Sequence, residues 1–332
     1  MEKICVIGSN SFSGATFVAY ALEQGLEVLG ISRSAEAEAA FLPYRWPAMS
    51  KYKKTFHFEQ LDMNRHAEEI GAVLRSFAPA YVVNFAAQSM VGQSWENPVD
   101  WYETNVVGHV KLHEKLRKLD SLKKYVQAST PEVYGSCSGT VKEDFPFNPS
   151  TPYAASKAAC DLHLNTYFKH YGFPVVSTRA ANVYGPGQQL YRIIPRAVIS
   201  IATGKTLELH GGGHSVRSFI HMRDVSDATL RIAKHGRAGE CYHISTDRFI
   251  SVRDLVQMIC TMMGYEFDKL VKIVDERPGK DAAYLLDCSK LRSELGWAEQ
   301  ISLESGVQQT IDWVQTHLPT LKSAAWDYQH KH

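Results

Sequence analysis

Short apolar runs alternate with longer amphipathic stretches through the first half of the chain. Each apolar run has the length of a strand, and each amphipathic stretch has the length of a helix. Strands separated by helices of ten or more residues form βαβ crossovers, so a parallel sheet with helices on its faces is predicted. The predicted strands are residues 4–7, 27–31, 55–61, 81–85, 124–128 and 174–178, and the predicted helices are 14–24, 66–76, 99–119 and 152–171.

The alternation stops near residue 180. Glycine and proline cluster at residues 184–187 and 211–213, and the later helices are predicted to be shorter. We therefore predict an α/β fold in which residues 1–180 form a doubly wound parallel sheet, rejoined by parts of 210–245. Residues 181–332 form a smaller mixed α/β domain. Its helices are predicted to begin after an N-cap at Ser251 and to include 289–295 and 303–317.

The charge balance limits the kinds of partner that the chain can bind. Lys and Arg total 36 and Asp and Glu total 35, so the net charge is +1 and no general attraction to nucleic acid or an anionic membrane is expected. Any anionic ligand must then be bound by a few placed arginines. No apolar run approaches the ~18 residues of a membrane span, and the start of the chain does not have the form of a signal peptide. A cytoplasmic protein is predicted.

The cysteines and the last histidines give no metal site. The six cysteines are scattered without zinc or disulfide spacing, so reduced thiols are predicted. His330 and His332 are predicted to be solvated on a frayed segment.

The first predicted strand runs into a tight turn and a helix start. Small residues there let backbone amides and the helix N-terminus approach a pyrophosphate, although an ordinary βα turn has the same form. The usual motif has a middle glycine where this chain has Ser11, which is small enough if its φ stays negative. The residues predicted to bind the dinucleotide here are Gly8, Ser11, Phe12, Ser13 and Gly14.

The end of the second strand bears on which cofactor binds. An NAD site usually has an acidic residue there, but this chain has Ser32, Arg33 and Ser34, with no acid until Glu36. An arginine between hydroxyls suits a ribose 2′-phosphate or can stack on adenine. The alternative is that Arg33 is an ordinary solvated loop residue. Asp62, after the third strand, either binds the adenine amino group or caps the next helix. NADP or NAD is predicted, with a slight preference for NADP.

Two segments carry groups suited to proton transfer. Tyr153 and Lys157 stand four residues apart, so they share one helix face, and a nearby cation is expected to lower the tyrosine pKa toward working pH. Such a phenolate can remove a proton from a sugar hydroxyl. Thr130 and Glu132 add a hydroxyl and a carboxylate. Threonine, proline and glutamate in this order also make a good helix start, which is the structural alternative.

Together these segments resemble the extended short-chain dehydrogenase/reductase family, and within it the nucleotide-sugar 4,6-dehydratases. The resemblance covers nearly the whole chain. It implies a Rossmann-type sheet, a tightly bound NAD or NADP, a nucleotide-sugar substrate, and a homodimer formed by the helices at 99–119 and 152–171. The matching segments are 84–89, 103–108 with Asn105, 129–135, 153–157, 182–186 and 277–284.

The resemblance also implies roles for individual residues. Ala86, Ala87 and Ser129 would line the cofactor site together with Tyr153 and Lys157. The residues implied for substrate binding are Gln88, Ser89, Asn182, Arg192, Arg217 and Arg277.

One position departs from part of the family. The dTDP-glucose enzymes have aspartate where this chain has Pro131, whereas GDP-mannose dehydratases have serine there. Segment 148–152 lacks the arginine that UDP-glucuronate decarboxylases usually carry, so decarboxylation is disfavoured. The nucleotide base is not readable from the sequence.

The resemblance implies a 4,6-dehydratase. Tyr153 removes the C4 hydroxyl proton, Thr130 bonds the C4 oxygen, and Glu132 removes the C5 proton before water leaves from C6. With Pro131 in place of the acid, protonated Glu132 is our candidate for protonating the leaving hydroxyl. An epimerase or 4-ketoreductase on the same fold is the alternative, and a non-catalytic nucleotide sensor is a more remote one.

Overall fold

A computed structural model describes residues 1–137, 139–275 and 285–331 of the chain. The strands are β1 Lys3–Ile7, β2 Glu27–Ser32, β3 Phe56–Gln60, β4 Tyr81–Asn84, β5 Lys124–Ala128, β6 Thr140–Val141, β7 Val175–Ala180, β8 Asn182–Tyr184, β9 Leu207–His210, β10 Val216–Arg217, β11 Phe219–His221, β12 Cys241–Ile244, β13 Ile250–Ser251, β14 Val271–Val274 and β15 Leu285–Leu286. The helices are α1 Phe12–Glu23, α2 Ala67–Phe77, α3 Gln93–Glu96, α4 Pro98–Tyr102, α5 His109–Leu116, α6 Pro152–Tyr171, α7 Ile193–Thr203, α8 Met222–His235, α9 Val252–Met262, α10 Phe267–Leu270, α11 Ser289–Leu295, α12 Leu303–Thr316 and α13 Leu318–Ser323.

The main sheet has seven strands in the order β12-β7-β5-β4-β1-β2-β3, and every neighbouring pair is parallel. Helices α1 and α8 pack on one face, where Phe17 and Val225 join the core. Helices α2, α5 and α6 cover the other face, where Leu112 and Leu164 are buried. The prediction of an α/β fold with a parallel sheet and helices on its faces is confirmed.

The strand order reverses between β1 and β4. The chain runs outward from β1 to β3 and then returns to the other side of β1 at β4. A reversal of this kind opens a crevice at the carboxyl ends of the strands, where ligands bind in open α/β sheets. The loops that follow β1, β2, β4 and β5 all reach this edge. They carry the predicted dinucleotide loop, Arg33, the segment 86–89 and the segment 129–132, whereas Tyr153 and Lys157 lie on α6.

A second core lies beyond the sheet. Helices α7, α9 and α12 enclose it with side chains such as Val198, Ile259 and Val307. The apolar pattern did not predict α7 or α8. Strand β12 pairs with β7, so residues 241–244 return to the main sheet.

The helix predicted at 99–119 is present as one helical stretch over 98–116, with a π-helical turn in its middle that the sequence did not predict. It is α4, a π-helical turn at Glu103–Gly108, and α5. A Cβ at Gly108 would lie 2.3 Å from Oδ1 of Asn64, so this turn packs closely against the loop after β3. The side chain of Asn105 within the turn points into the protein and is fully buried. Such π turns often occur at functional sites, and this one aims a polar side chain inward.

The prediction that His330 is solvated is wrong. Its ring lies parallel to that of Trp101 at 5.2 Å, and its Nε2 is 2.6 Å from a carboxylate oxygen of Asp100. His332 lies outside the described residues. Within the described ranges, no helix combines the length and apolarity needed to cross a membrane. The six cysteines all lie in these ranges and form no disulfide.

Four buried histidines predict how stability depends on pH. Burial lowers the pKa of His109 to about 3, of His243 to about 3 and of His221 to about 4, and it holds the pKa of His113 well below its usual value. In the unfolded chain these groups titrate near pH ~6.5. The unfolded state therefore binds more protons below that pH, and the free energy of unfolding should fall as the pH falls.

Urea denaturation at pH 7.0 and 5.5 measures this dependence. His113→Gln should reduce the slope by as much as ~1.4 kcal/mol per pH unit, since one titrating group is removed. The exposed His235 offers a matched control, and His235→Gln should keep the wild-type slope. An unchanged slope in the His113 variant would contradict the assignment.

Candidate active site

The loop between β1 and α1 is built by two glycines and a serine. Gly8 has φ +80°, and a Cβ there would lie 2.6 Å from the amide nitrogen of Ala86. A Cβ at Gly14 would lie 2.1 Å from the Gly8 carbonyl oxygen. Ser11 has a φ of −72°, so the condition for a serine at this position is met. Its hydroxyl accepts from the Gly14 amide at 3.0 Å and donates to the Gly8 carbonyl at 2.7 Å. The first-turn amides of α1 are thereby presented to the crevice, as an anion site requires.

The end of β2 carries a cation, and the acid nearest in sequence is already paired. Glu36 binds Arg45 through both carboxylate oxygens, at 2.8 and 2.9 Å. Arg33 is partly buried, and its Nη2 donates to the backbone carbonyl of Lys331 at 3.0 Å. The hydroxyl of Ser32 accepts from the Asn10 amide at 3.0 Å. This arrangement suits a ribose that carries a 2′-phosphate, which a cation binds. It suits less well a ribose with a free 2′-hydroxyl, which is usually bound by a carboxylate.

Asp62 holds its own loop. Its Oδ1 accepts from the backbone amide of Asn64 at 2.8 Å, and its own amide donates to the ring of His66 at 3.0 Å. Asp62 does not cap α2, whose N-cap is His66 without a side-chain cap bond, so the capping alternative is wrong. The interaction with adenine stays a prediction.

The segment after β5 forms a short 3₁₀ turn at Pro131–Tyr134. Thr130 is its N-cap, and its hydroxyl accepts from the Glu132 amide at 3.3 Å. The same hydroxyl lies 3.4 Å from Glu132 Oε2. The interpretation of Thr130-Pro131-Glu132 as a helix start is therefore confirmed. The turn also brings the carboxylate of Glu132 close enough to Tyr153 for its charge to act on the phenol.

Helix α6 begins where predicted and carries the candidate Tyr–Lys pair in its first two turns. Thr151 caps the helix by accepting from the Ala154 amide at 3.1 Å, and Pro152 takes the first helical position. Tyr153 is 8% exposed and Lys157 is 2% exposed. The ammonium of Lys157 donates to the Ala128 carbonyl at 2.7 Å, which ties the helix to the end of β5.

The protein's own groups do not lower the pKa of Tyr153, so the expectation of a lowered pKa is wrong. Burial raises this pKa well above its ordinary value, and the charge of Glu132 raises it further. A hydrogen bond with Thr130 and the charge of Arg192 act in the opposite direction without reversing the shift. Burial also lowers the pKa of Lys157.

A buried polar network supports this turn, and sequence reasoning missed it. Ser129 Oγ donates to Asp161 Oδ2 at 2.7 Å, and Arg179 Nη2 donates to the same oxygen at 2.8 Å. Arg179 Nη1 also donates to the hydroxyl of Tyr134 at 2.5 Å, and that hydroxyl lies 2.7 Å from Nε2 of His243. The network fastens both ends of the turn to α6, β7 and β12. Asp161 stands one helical turn after Lys157, which is the only signal the sequence offered.

The loop after β4 is held by Asn105. Its side chain accepts from the Gln88 amide at 2.9 Å, donates to the Gln88 carbonyl at 2.9 Å, and donates to Ser156 Oγ at 3.0 Å. The side-chain amide of Gln88 donates to the Lys331 carbonyl at 2.7 Å. Ala86 and Ala87 are partly buried beside the β1–α1 loop, and Ser89 is exposed.

The candidate substrate arginines occupy different environments. Arg192 is exposed at the N-cap of α7, and it lies on the catalytic side because its charge acts on Tyr153. Arg217 is 8% exposed in β10, and its Nη1 donates to the Val216 carbonyl at 2.8 Å. Asn182 opens β8, which pairs with β11 beside it. Arg277 and the rest of the segment 277–284 lie outside the described residues.

These residues fit a nicotinamide dinucleotide. The capped N-terminus of α1 suits its pyrophosphate, Arg33 stands at the ribose end of the edge, and Tyr153 and Lys157 lie at the opposite end, after β5. The crevice therefore joins an anion site to a group of proton-transfer residues.

Comparison with known proteins agrees with this geometry. A family model described as GDP-mannose 4,6 dehydratase matches residues 5–310. A dTDP-glucose 4,6-dehydratase from Xanthomonas campestris is 32% identical over 337 residues, covering 96% of this chain and 94% of that protein. A trifunctional Arabidopsis thaliana enzyme, whose first activity is that of a UDP-glucose 4,6-dehydratase, is 32% identical over 268 residues. That match covers 80% of this chain but only 40% of the plant protein.

Solved structures show the same relationship. The structure of a dTDP-glucose 4,6-dehydratase from Streptomyces venezuelae, with NAD and TYD bound, has a TM-score of 0.88 at 32% identity and covers 96% of this chain and 98% of that one. A UDP-glucose 4-epimerase from Thermotoga maritima, with UDP-glucose, has a TM-score of 0.86 at 26% identity and covers 95% and 99%. The family model, the relatives and the site geometry agree, and this chain belongs to the nucleotide-sugar 4,6-dehydratases of the extended short-chain dehydrogenase/reductase family.

Proposed function

We propose that this protein converts a nucleoside-diphosphate hexose into its 4-keto-6-deoxy derivative by removing water. The observation that carries the proposal is the convergence of three groups in the crevice. Tyr153 is hydrogen-bonded to Thr130 and lies within the field of the Glu132 carboxylate. A phenol and a carboxylate on one small surface provide a base for the C4 hydroxyl and a second base for the neighbouring C5 proton.

The cofactor site supports a redox step within this cycle. When bound along the crevice, a nicotinamide dinucleotide would supply the hydride acceptor for C4 and the hydride donor for C6. Burial raises the pKa of the Tyr153 phenol. The oxidised nicotinamide ring is cationic and, if held near Tyr153, would oppose this rise. Lys157 holds α6 against β5 and so fixes the distance between Tyr153 and the end of the sheet.

Tyr153 and Thr130 act on the C4 oxygen. Tyr153 takes the hydroxyl proton as C4 is oxidised, and Thr130 donates to the oxygen that becomes the ketone. The ketone makes the C5 proton acidic, and Glu132 removes it. Glu132 then gives this proton to the C6 hydroxyl, which leaves as water. No separate acid is then needed at position 131, where this chain has proline. Tyr153 then gives up the proton it took from the C4 hydroxyl, which goes to C5, and becomes a phenolate again. The number of protons removed from the sugar thus equals the number returned to it or lost in water.

The remaining residues place the nucleotide diphosphate. Arg192 is the best candidate because its charge already reaches Tyr153, and its planar group suits phosphate oxygens. Gln88, Ser89, Asn182 and Arg217 complete the proposed substrate contacts, with residues 1–180 holding the cofactor and 181–332 the nucleotide sugar. Arg277 belongs to the same proposal.

A 4-epimerase or 4-ketoreductase is the second candidate. It needs Tyr153 and Thr130 but no base at C5, and the likeness to the UDP-glucose 4-epimerase structure favours keeping it. The presence of Glu132 on the turn beside Tyr153 supports dehydration over this alternative.

Product mass separates the candidates. The purified protein is incubated with dTDP-, GDP-, UDP- and CDP-hexoses, and we expect one of them to lose the mass of a water molecule. Glu132→Gln should still oxidise C4, so bound reduced cofactor should appear at 340 nm, while dehydration falls by about 10²-fold or more. Tyr153→Phe should give neither the absorbance nor the product.

Two exposed residues provide matched controls for these variants. Asp144→Asn, on the loop that follows the catalytic turn, and Tyr171→Phe, at the far end of α6, should dehydrate at the native rate. Dehydration at the native rate by Glu132→Gln would refute its role as base. An unchanged product mass with inverted C4 stereochemistry in the native protein would identify the epimerase.

The cofactor is proposed to be NADP(H) in preference to NAD(H). Arg33 stands where an acid would bind a free ribose hydroxyl, and Glu36 is engaged by Arg45. Arg33→Ser should weaken NADP⁺ binding by about ten- to a hundred-fold, since a charge-assisted contact contributes ~1.5–3 kcal/mol. NAD⁺ binding should change little. Calorimetry with both cofactors measures this, and equal losses for the two would contradict it.

A homodimer is proposed from one apolar surface. Side chains on α3, α4, the π turn and α6 are exposed, and this surface matches the paired helices of the family dimer. Val99→Glu combined with Leu162→Glu should give a monomer in light scattering at micromolar concentration. Ile273→Glu, at another exposed apolar position, should remain dimeric, and a monomeric native protein would refute the proposal. The surface consists of Trp95, Val99, Tyr102, Val107 and Leu162.

A further inference from the structure

The protein has two lobes, the main sheet with its covering helices and the second core enclosed by α7, α9 and α12. Residues 326–331, which we call the strap, begin on the second of these lobes. Arg196 of α7 donates to the Trp326 carbonyl at 2.7 Å and pairs with the Asp327 carboxylate at 3.1 Å. The ammonium of Lys205 lies 4.0 Å from the centre of the Trp326 ring. One end of the strap is therefore fixed to α7.

The middle of the strap crosses to the sheet domain. Tyr328 packs edge-on against Tyr191, just before α7, at 5.6 Å. Two residues later, His330 stacks on Trp101 with an interplanar angle of 10° and binds the Asp100 carboxylate at 2.6 Å. The side chain of His330 is only 14% exposed. A short segment thus contacts both lobes and spans the crevice between them.

The end of the strap lies over the cofactor edge. The Lys331 carbonyl accepts from Arg33 at 3.0 Å and from Gln88 at 2.7 Å. Arg33 follows β2 and Gln88 follows β4, and these strands flank β1 on either side. A group that bonds both residues must pass over the carboxyl end of β1, where the dinucleotide loop begins.

The strap also adds charge at this position. The ammonium of Lys331 is 3.4 Å from Ser34 Oγ, directly after Arg33 in sequence. Two cations and a hydroxyl therefore meet at the end of β2, beside a Glu36 that is bound by Arg45. An ammonium is a point charge that suits a phosphate, and it gives no comparable advantage to a neutral ribose hydroxyl.

We propose that the strap is the outer wall of the cofactor site, closing over the adenosine half of the bound dinucleotide, with Lys331 binding the 2′-phosphate of NADP(H) together with Arg33. This inference rests on the function and cofactor proposed above. Residues of both lobes hold the strap, so release of the cofactor requires His330 to leave Asp100 and Trp101.

Cofactor exchange tests both parts of the proposal. Protein loaded with NADP⁺ or NAD⁺ is mixed with an excess of the same cofactor in isotopically labelled form, and replacement is followed by mass. His330→Ala should speed the release of either cofactor by about tenfold, because it detaches the strap. Lys331→Met should speed NADP⁺ release by about fivefold and leave NAD⁺ release within about twofold. Lys322→Met, at an exposed lysine on α13, is the control and should change neither.

Three outcomes would overturn the proposal. Unchanged or slower release from His330→Ala would mean that the strap does not cover the cofactor. Equal effects of Lys331→Met on NADP⁺ and NAD⁺ would remove its contact with the 2′-phosphate. A native protein that loads only NAD⁺ would refute both the role of Lys331 and the cofactor preference. In that case the rate of NAD⁺ release from His330→Ala would still test whether the strap covers the cofactor. Whether water is removed from the sugar is read separately by product mass, so failure of the proposed reaction remains distinguishable.

Discussion

The candidate catalytic turn depends on a buried ion pair between Asp161 and Arg179. Both side chains are nearly inaccessible to solvent, and the carboxylate also accepts from Ser129 at the start of the turn. Arg179 bonds the hydroxyl of Tyr134 at the end of the turn. Removing one partner would leave an uncompensated buried charge, which typically costs ~3–5 kcal/mol. The position of Glu132 relative to Tyr153 is therefore set by residues that never touch the sugar.

The electrostatics of Tyr153 explain why cofactor and catalytic groups must be considered together. Sequence reasoning assigned the activating charge to Lys157, but burial and the charge of Glu132 raise the pKa of the phenol, and the groups that oppose them are Thr130 and Arg192. The ammonium of Lys157 bonds the Ala128 carbonyl, which ties α6 to the end of β5. In the proposed reaction, a cationic nicotinamide ring held near Tyr153 would oppose this rise in pKa.

Local signals predicted those parts of the structure that local signals determine. Helix α6 was predicted with its observed bounds, because Thr151, Pro152 and Gly172 supply its N-cap, first position and left-handed end. Ser11 was accepted in place of a glycine on the condition that its φ is negative, and the observed φ of −72° meets that condition. The π turn inside the helix at 99–119 was missed, since its contacts with Asn64 and Gln88 come from distant parts of the chain.

The strap was missed for the same reason. Its contact between Arg33 and Lys331 joins residues 298 positions apart, and no periodicity or motif encodes such a pairing. A histidine and a lysine near the end of a chain have the composition of a solvated segment. Their burial is decided by Asp100 and Trp101, which lie on a helix of the other lobe. Long-range polar contacts of this kind are visible only in the folded structure.

Isotope tracing tests the central claim, that one site oxidises C4, removes water and returns the same hydrogen to C6. A nucleotide sugar carrying deuterium at C4 is converted in ordinary water, and the product is analysed by mass and by magnetic resonance. The account predicts a product that has lost water and carries the deuterium at C6. Loss of the label to solvent, or a product that keeps its full mass with the label at C4, would contradict it.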